Sequence, residues 1–394
     1  MSYTSLIAEN QNWIDCVWGK LDEKLSRLAV KSRDKIPYTT VNGEHDNRAA
    51  AGADITWWTN GFWGGLMWLM YEGTKNFEYK ATAERSEELL DGALERVDAL
   101  HHDVGFLWHI LSGANYRLTG NKKSRNRNLT AAMFLASRYN VKGNYIRCWN
   151  EEVERFHLHG KTYDQETQMT IIDCMMNLNL LYWASEEIKD DRFKNIAVCY
   201  ADMAMRDHVR DDGSVNHIVL HSPNQKDTVV DCIMGQGYAK DSSWSRGVGW
   251  ALYGFILSYI HTKEQRYLDT AIKVANHFIT ETEKTAWLPR LDFCQPEKPL
   301  YYDSTAGAIA SCGLIELAKL TTGSESVEFL SLALNILKAM EKNWCDWTEE
   351  EDSVLQMGSL MYDNENEKHI PIIYGDYFFA EAILKLKGTD FLAW

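Results

Sequence analysis

The 394 residues contain no apolar run long enough to cross a bilayer, which excludes a helical membrane protein. Residues 1–9 carry neither a basic n-region nor an apolar h-region, so no secretory signal is read there and a cytoplasmic location is expected. The eight cysteines, at 16, 148, 174, 199, 232, 294, 312 and 345, include no Cys-x-x-Cys pair. That removes the usual zinc and thioredoxin-like patterns, and thiols scattered through apolar segments suit reduced core residues. Proline is scarce, at six residues, and no Gly/Ser/Pro-rich linker interrupts the chain, so a single domain over 1–394 is expected. Positive charge is in deficit. A net charge of −15 argues against nucleic acid, whose binding needs Lys and Arg against phosphates, and it gives an anionic ligand no long-range attraction. The Gly-x-Ser-x-Gly elbow and a phosphate loop ending in Lys-Ser/Thr are both missing.

What is present is helical periodicity and aromatic bulk. Fifteen Trp and 19 Tyr fill either a core or a sugar-stacking cleft. Apolar periodicity predicts helices over 4–31, 59–74, 77–101, 106–119, 122–138, 166–187, 190–208, 244–261, 264–283, 303–321, 325–347 and 374–387. Strand-like alternation is scarce. Five helix pairs meet at short polar joints of similar look, at 71–75, 118–122, 188–192, 261–265 and 320–324, whereas the connections 140–165, 209–243, 284–302 and 348–373 are long. Short joints make antiparallel neighbours. Six such hairpins closing on themselves form an all-α (α/α)6 barrel, with the active cleft on the long-loop end.

The chemistry-bearing residues fall in a few stretches. Asp173 interrupts the apolar run Thr170–Trp183, which reads as a buried helix; burial penalises the carboxylate and makes it a candidate general acid. Asn177 is a structural partner for it. Asp103 follows His101 and His102 at a loop-to-helix junction. Adjacent residues rarely share one metal, so this cluster is read as non-metal, with Asp103 either a helix cap or the partner of Asp173. Ala53–Gly65 is rich in Trp and carries Thr59 or Asn60 as a helix cap. The stretch 235–250 holds Gln236, Trp244, Arg246 and Trp250 among four glycines; Arg246 offers a planar fork for a carboxylate, and one of the two Trp is expected to face a cavity.

Taken together, Trp58–Trp63, His102–Phe106, Asn115–Gly120, Ile172–Asn177, Arg210–His217, Gly235–Tyr238, Ser243–Trp250 and Gly375–Phe378 resemble, in order, the motifs of the unsaturated glucuronyl hydrolases, glycoside hydrolase family 88. The resemblance spans nearly the whole chain. It implies an (α/α)6 barrel and an oligosaccharide substrate ending in a 4,5-unsaturated uronic acid. It implies Asp173 as the acid that protonates C4 and Asp103 as a second essential carboxylate. It implies Trp58, His102, His217, Gln236, Trp244, Arg246 and Trp250 as pocket residues, with no metal or organic cofactor. One departure concerns the Ser-x-x-Ser-Gly-Lys segment of sulfate-preferring members. Here Met361–Ile370 lacks both serines and carries Glu365, Glu367 and Lys368, which points to unsulfated disaccharides or to sulfate met by Lys368. The alternatives are an unsaturated rhamnogalacturonyl hydrolase, a sugar epimerase using His217 and His221, and a non-catalytic carbohydrate-binding toroid.

Overall fold

The helices of the computed structural model, which describes residues 2–151 and 168–394, are of two kinds. The outer kind buries one stripe. These are α1 (Tyr3–Lys31), α3 (Phe77–Leu90), α5 (Lys122–Ser137), α7 (Arg192–Asp207), α9 (Gln265–Glu283) and α11 (Gly323–Trp344). In α9 the stripe is Leu268, Ala271, Val274, Ala275, Phe278 and Thr282, the spacing of a single helix face. The inner kind is apolar all round, and so must be covered on every side. These are α2 (Phe62–Thr74), α6 (Cys174–Ile188), α8 (Ser245–Thr262), α10 (Ser304–Leu320) and α12 (Ile373–Leu386), the sixth place going to the buried segment before the short, polar α4 (Ala114–Thr119). A π-helical stretch, Gly105–Gly113, runs straight into α4.

Around the ring α2 touches the π-helical stretch, which touches α6; α6 touches α8, α8 touches α10, α10 touches α12, and α12 returns to α2. The described residues thus form the (α/α)6 barrel expected from the sequence. The joints share a physical cause. Lys75, Gly120, Lys189 and Lys263 each end an inner helix in the left-handed conformation, and each donates its backbone N–H to the carbonyl four residues back. Asn76 and Asn121 then cap the next helix through their side chains. The fifth joint differs: Thr321 is extended and Gly323 takes the positive φ.

All six inner helices therefore point their N-termini toward the long loops. Aromatic rings close the axis beneath that end. Phe62, Phe106, Trp250 and Phe378 have centroids 5.3–5.8 Å apart, and Trp394 stacks on Phe378 from the C-terminal side. The barrel is a packed core with a cup at one end, not a pore.

Three expectations shift. The helix predicted over 77–101 stops at Leu90, followed by a 3-10 turn at Asp91–Glu95. The helix predicted from 59 begins at Phe62; Gly61 occupies its cap, and Asn60 instead donates to the carbonyls of Asp54 and Ile55. The helix predicted from 166 begins at Cys174. Residues before it form β1 (Gln168–Ile171), which pairs antiparallel with β2 (Ile218–His221), itself paired with β3 (Val229–Ile233). This small sheet sits on the long-loop rim. Its strands are short, and Thr170 pairs with Val219 far along the chain, so no local alternation announces β1.

Candidate active site

Asp173 lies where β1 hands over to α6, at the N-terminus of the helix and not within it. The register Ile171–Ile218 and the hydrogen bond from Ile172 N–H to the His217 carbonyl bring His217 beside it. The His217 Nδ1 accepts the backbone N–H of Gln236 at 2.9 Å. An imidazole that accepts at Nδ1 carries its proton on Nε2. That nitrogen faces the Asp173 carboxylate at 3.5 Å, and the facing oxygen has no hydrogen-bond donor within the protein.

Asp103 approaches from the next inner segment. Its Oδ1 accepts from the Asn177 amide at 3.3 Å, while the Asn177 oxygen accepts the Phe106 N–H at 2.9 Å. Asn177 sits one turn after Asp173, and its amide is 3.5 Å from the Asp173 carbonyl, so one side chain spans both carboxylate-bearing segments. Gly105 permits this approach: a Cβ there would lie 2.5 Å from the Asn177 oxygen. His101 Nδ1 and His102 Nε2 stand 3.1 and 3.3 Å from Asp103 Oδ2. Burial pushes the Asp103 carboxyl up, but His102, His101 and the Asn177 amide outweigh it and hold the group below its ordinary value. Burial drives His102 down to about 3, so its ring is neutral and the Asp103 anion rests on nearby dipoles.

Both carboxyl groups open onto a cavity of about 1000 Å³ at the long-loop end, lined also by Trp57, Trp58, His101, Trp149, Gln236 and Met361. Trp58 is half-buried and packs on Phe106 and Tyr374, presenting a ring as one wall. Gln236 lends its backbone N–H to His217 and lines the cavity. The lining carries Asp54, Asp98, Asp103, Glu151, Asp173 and Glu367 but only Arg96 as a cation among the described residues. An anionic sugar must therefore rely on neutral donors and on the inner helix N-termini.

Several expected pocket residues stand behind the wall. His102 is wholly buried and backs Asp103. Trp244 is buried with its ring 4.1 Å from that of His217, which it holds in place. Trp250 belongs to the axial aromatic core. Neither of these two Trp faces the cavity, contrary to expectation, because the inner-helix segment they sit on is enclosed on all sides. Arg246 is also displaced from its expected role. It is buried, pairs with buried Asp303, and donates to the carbonyls of Ser359 and Leu360 at 2.6 Å, bracing the loop that contributes Leu360 to the cavity. One nitrogen of its guanidinium meets a carboxylate, but that carboxylate is supplied by the protein. Conversely, His101 lines the site although no role there was read from the sequence, and Asn177, read only as a structural partner of Asp173, also holds Asp103. The signal for Asn177 was its position four residues after Asp173, on the same helix face. The predicted connection 140–165 lies partly outside the described residues.

No family model matches the chain. A curated unsaturated glucuronyl hydrolase of Bacillus sp. (strain GL1) is 31% identical over 368 residues, covering 92% of this chain and 93% of the relative. An unsaturated chondroitin disaccharide hydrolase of Streptococcus pyogenes serotype M1 is 31% identical over 349 residues, covering 86% of this chain and 83% of the relative. The crystal structure of the unsaturated glucuronyl hydrolase from Bacillus sp. GL1 superposes with a TM-score of 0.83 at 29% identity, over 94% of this chain and 97% of that one. Similarity of this extent, on a barrel whose cup joins Asp103 to Asp173 through one asparagine, places the chain in the unsaturated glucuronyl hydrolase family of glycosidases, glycoside hydrolase family 88.

Proposed function

We propose that the whole chain works as one catalytic domain that removes a 4,5-unsaturated uronic acid from the non-reducing end of lyase-generated, glycosaminoglycan-type oligosaccharides. The observation that carries this reading is the pair of buried carboxyl groups, Asp103 and Asp173, that open onto one cavity, with Asn177 holding the Asp103 carboxylate and the Asp173 backbone carbonyl. Asp173 gives its proton to C4 of the ring double bond, leaving positive charge at C5 and the ring oxygen. Water adds at C5 and returns a proton to the Asp173 carboxylate or to its partner. The hemiketal so formed opens, and the neighbouring sugar leaves. No glycosyl-enzyme forms, so the separation rule for retaining and inverting carboxylates does not apply. His217 orients Asp173 through Nε2, and Asp103 stays ionised to stabilise the developing cation. Trp58 stacks on the sugar, and Gln236 donates to it.

The neighbouring sugar carries no sulfate in this reading. Lys368 is buried, pairs with Glu365 and lies over the Tyr301 ring with its Nζ 3.8 Å from the centroid, so it is committed elsewhere. Asp54, Asp98 and Glu367 line the cavity and repel an anionic substituent. The test follows the ultraviolet absorbance of the conjugated enol ether over a panel of unsulfated and sulfated unsaturated disaccharides. Loss of absorbance on unsulfated members, abolished in Asp173→Asn, is expected. Preference for sulfated members would overturn the specificity, and an unchanged absorbance throughout would overturn the activity.

A further inference from the structure

Sequence adjacency counted against a metal at His101, His102 and Asp103, but the fold brings their ligand atoms together. His101 Nδ1, His102 Nε2 and a carboxylate oxygen of Asp103 all lie within 4.8 Å of one another. Two of the separations to Asp103 Oδ2 are 3.1 and 3.3 Å. Zinc takes nitrogen and oxygen ligands at about 2.0–2.2 Å in a tetrahedron, so two of its ligands stand about 3.3 Å apart. The two distances to Asp103 match, and His101 Nδ1 and both nitrogens of His102 lack a hydrogen bond of good geometry. Close approach without alignment is how neighbouring ligands of one ion meet, since each aims at the ion and not at the other. His102 is wholly buried, so its unpartnered Nε2 has no water to turn to. His101 and Asp103 line the cavity, which supplies the entry path and room for a fourth ligand.

We infer that these three residues form an inhibitory site for a zinc-class divalent transition metal, which competes with substrate for Asp103. Two imidazoles and one carboxylate favour such a metal over magnesium or calcium, which prefer all-oxygen sites. Coordination at His102 Nε2 leaves the ring proton on Nδ1, where no second partner supports it; such support is worth about ten- to a hundredfold in affinity. The site is thus built for reversible occupancy and not for a resident ion. The competition rests on the reading of Asp103 given under the proposed function, whereas the binding does not.

The test strips the protein with EDTA, confirms folding by melting temperature, and assays the metal-free enzyme on an unsaturated disaccharide. Zinc chloride is then titrated calorimetrically into the wild type, His101→Gln and, should that variant melt early, Asp103→Asn. The wild type should bind one more zinc than the variant, or bind it at least tenfold more tightly. Hydrolysis should fall as that site fills and return with EDTA, and added disaccharide should weaken the apparent zinc affinity. Equal zinc isotherms for wild type and folded variant would overturn the site. Extra zinc in the wild type without loss of hydrolysis would overturn the competition. Metal-free protein that fails to hydrolyse any disaccharide would sink the proposed function instead, leaving the isotherms to decide the site by themselves.

Discussion

Removing the Arg246 guanidinium separates a brace from a substrate contact. The side chain is buried against Asp303, which is itself buried, so Arg246→Ala leaves a carboxylate without its counter-charge. Breaking a buried pair in this way costs about 3–5 kcal/mol. Asp303 keeps the N–H and hydroxyl of Thr305 and the N–H of Ser359 as donors, which sets the expected loss near the lower end, about 3 kcal/mol. For a protein of 394 residues that is a melting temperature lower by about 4 °C. Activity should fall with it, because the Ser359–Leu360 carbonyls lose their tether. Arg246→Lys should recover part, since one ammonium reaches Asp303 but does not reproduce the fork. The double variant Arg246→Met/Asp303→Asn should melt well above Arg246→Ala, because the uncompensated charge is gone. Thermal melts and kcat/KM measured side by side decide the matter. An Arg246→Ala protein that melts like wild type while losing ten- to a hundredfold in kcat/KM, the scale of about 1.5–3 kcal/mol for a charged contact, would refute the brace and return Arg246 to the substrate.

Asp173→Asn should lower kcat by at least about a hundredfold with an unchanged melt, since the amide has no proton to give; near-normal turnover would remove Asp173 from the reaction. Asp103→Asn should also lower kcat, and a change in KM alone would make it a binding residue. Gly235→Ala places a Cβ 2.1 Å from His217 Nδ1 at a residue with φ of +61°, so it should displace His217 and cost about a hundredfold in kcat/KM, the scale of a misplacement of about 1 Å; wild-type kinetics would show that His217 does not position the acid. Asp376 reports on stability: burial raises its carboxyl from 3.8 to about 6, against donation by Leu355, Val354 and Ser353. Between those values the folded state holds a proton that the unfolded chain has lost, so its contribution to stability falls by up to about 3 kcal/mol as pH rises from about 4 to about 6. Urea melts of wild type minus Asp376→Asn across that range should show the fall, and a difference that rises with pH would contradict it.

The barrel was legible in the sequence because its determinants are local. An inner helix advertises itself by being apolar on every face, four joints by a left-handed terminator, and two of these by an asparagine cap directly after it. Asp173 was legible as a carboxylate in an apolar run, whereas Asp103, beside two histidines at a loop-to-helix junction, was marked out by the family resemblance. What the sequence could not rank was the direction in which buried residues face. Trp58, Trp244 and Trp250 are equally aromatic and equally embedded in motifs, yet one walls the cavity, one holds a histidine and one fills the axis. Arg246 meets Asp303 across 57 residues, and Asn177 meets Asp103 across 74. Such pairings depend on how the ring closes, and so does the strand pairing that sets His217 against Asp173. Local patterning determined which segments are helices and which end of them carries chemistry. Only the packed ring decided which polar groups face the cup and which are consumed holding it together, because burial leaves each of them one partner and the tertiary contact selects it.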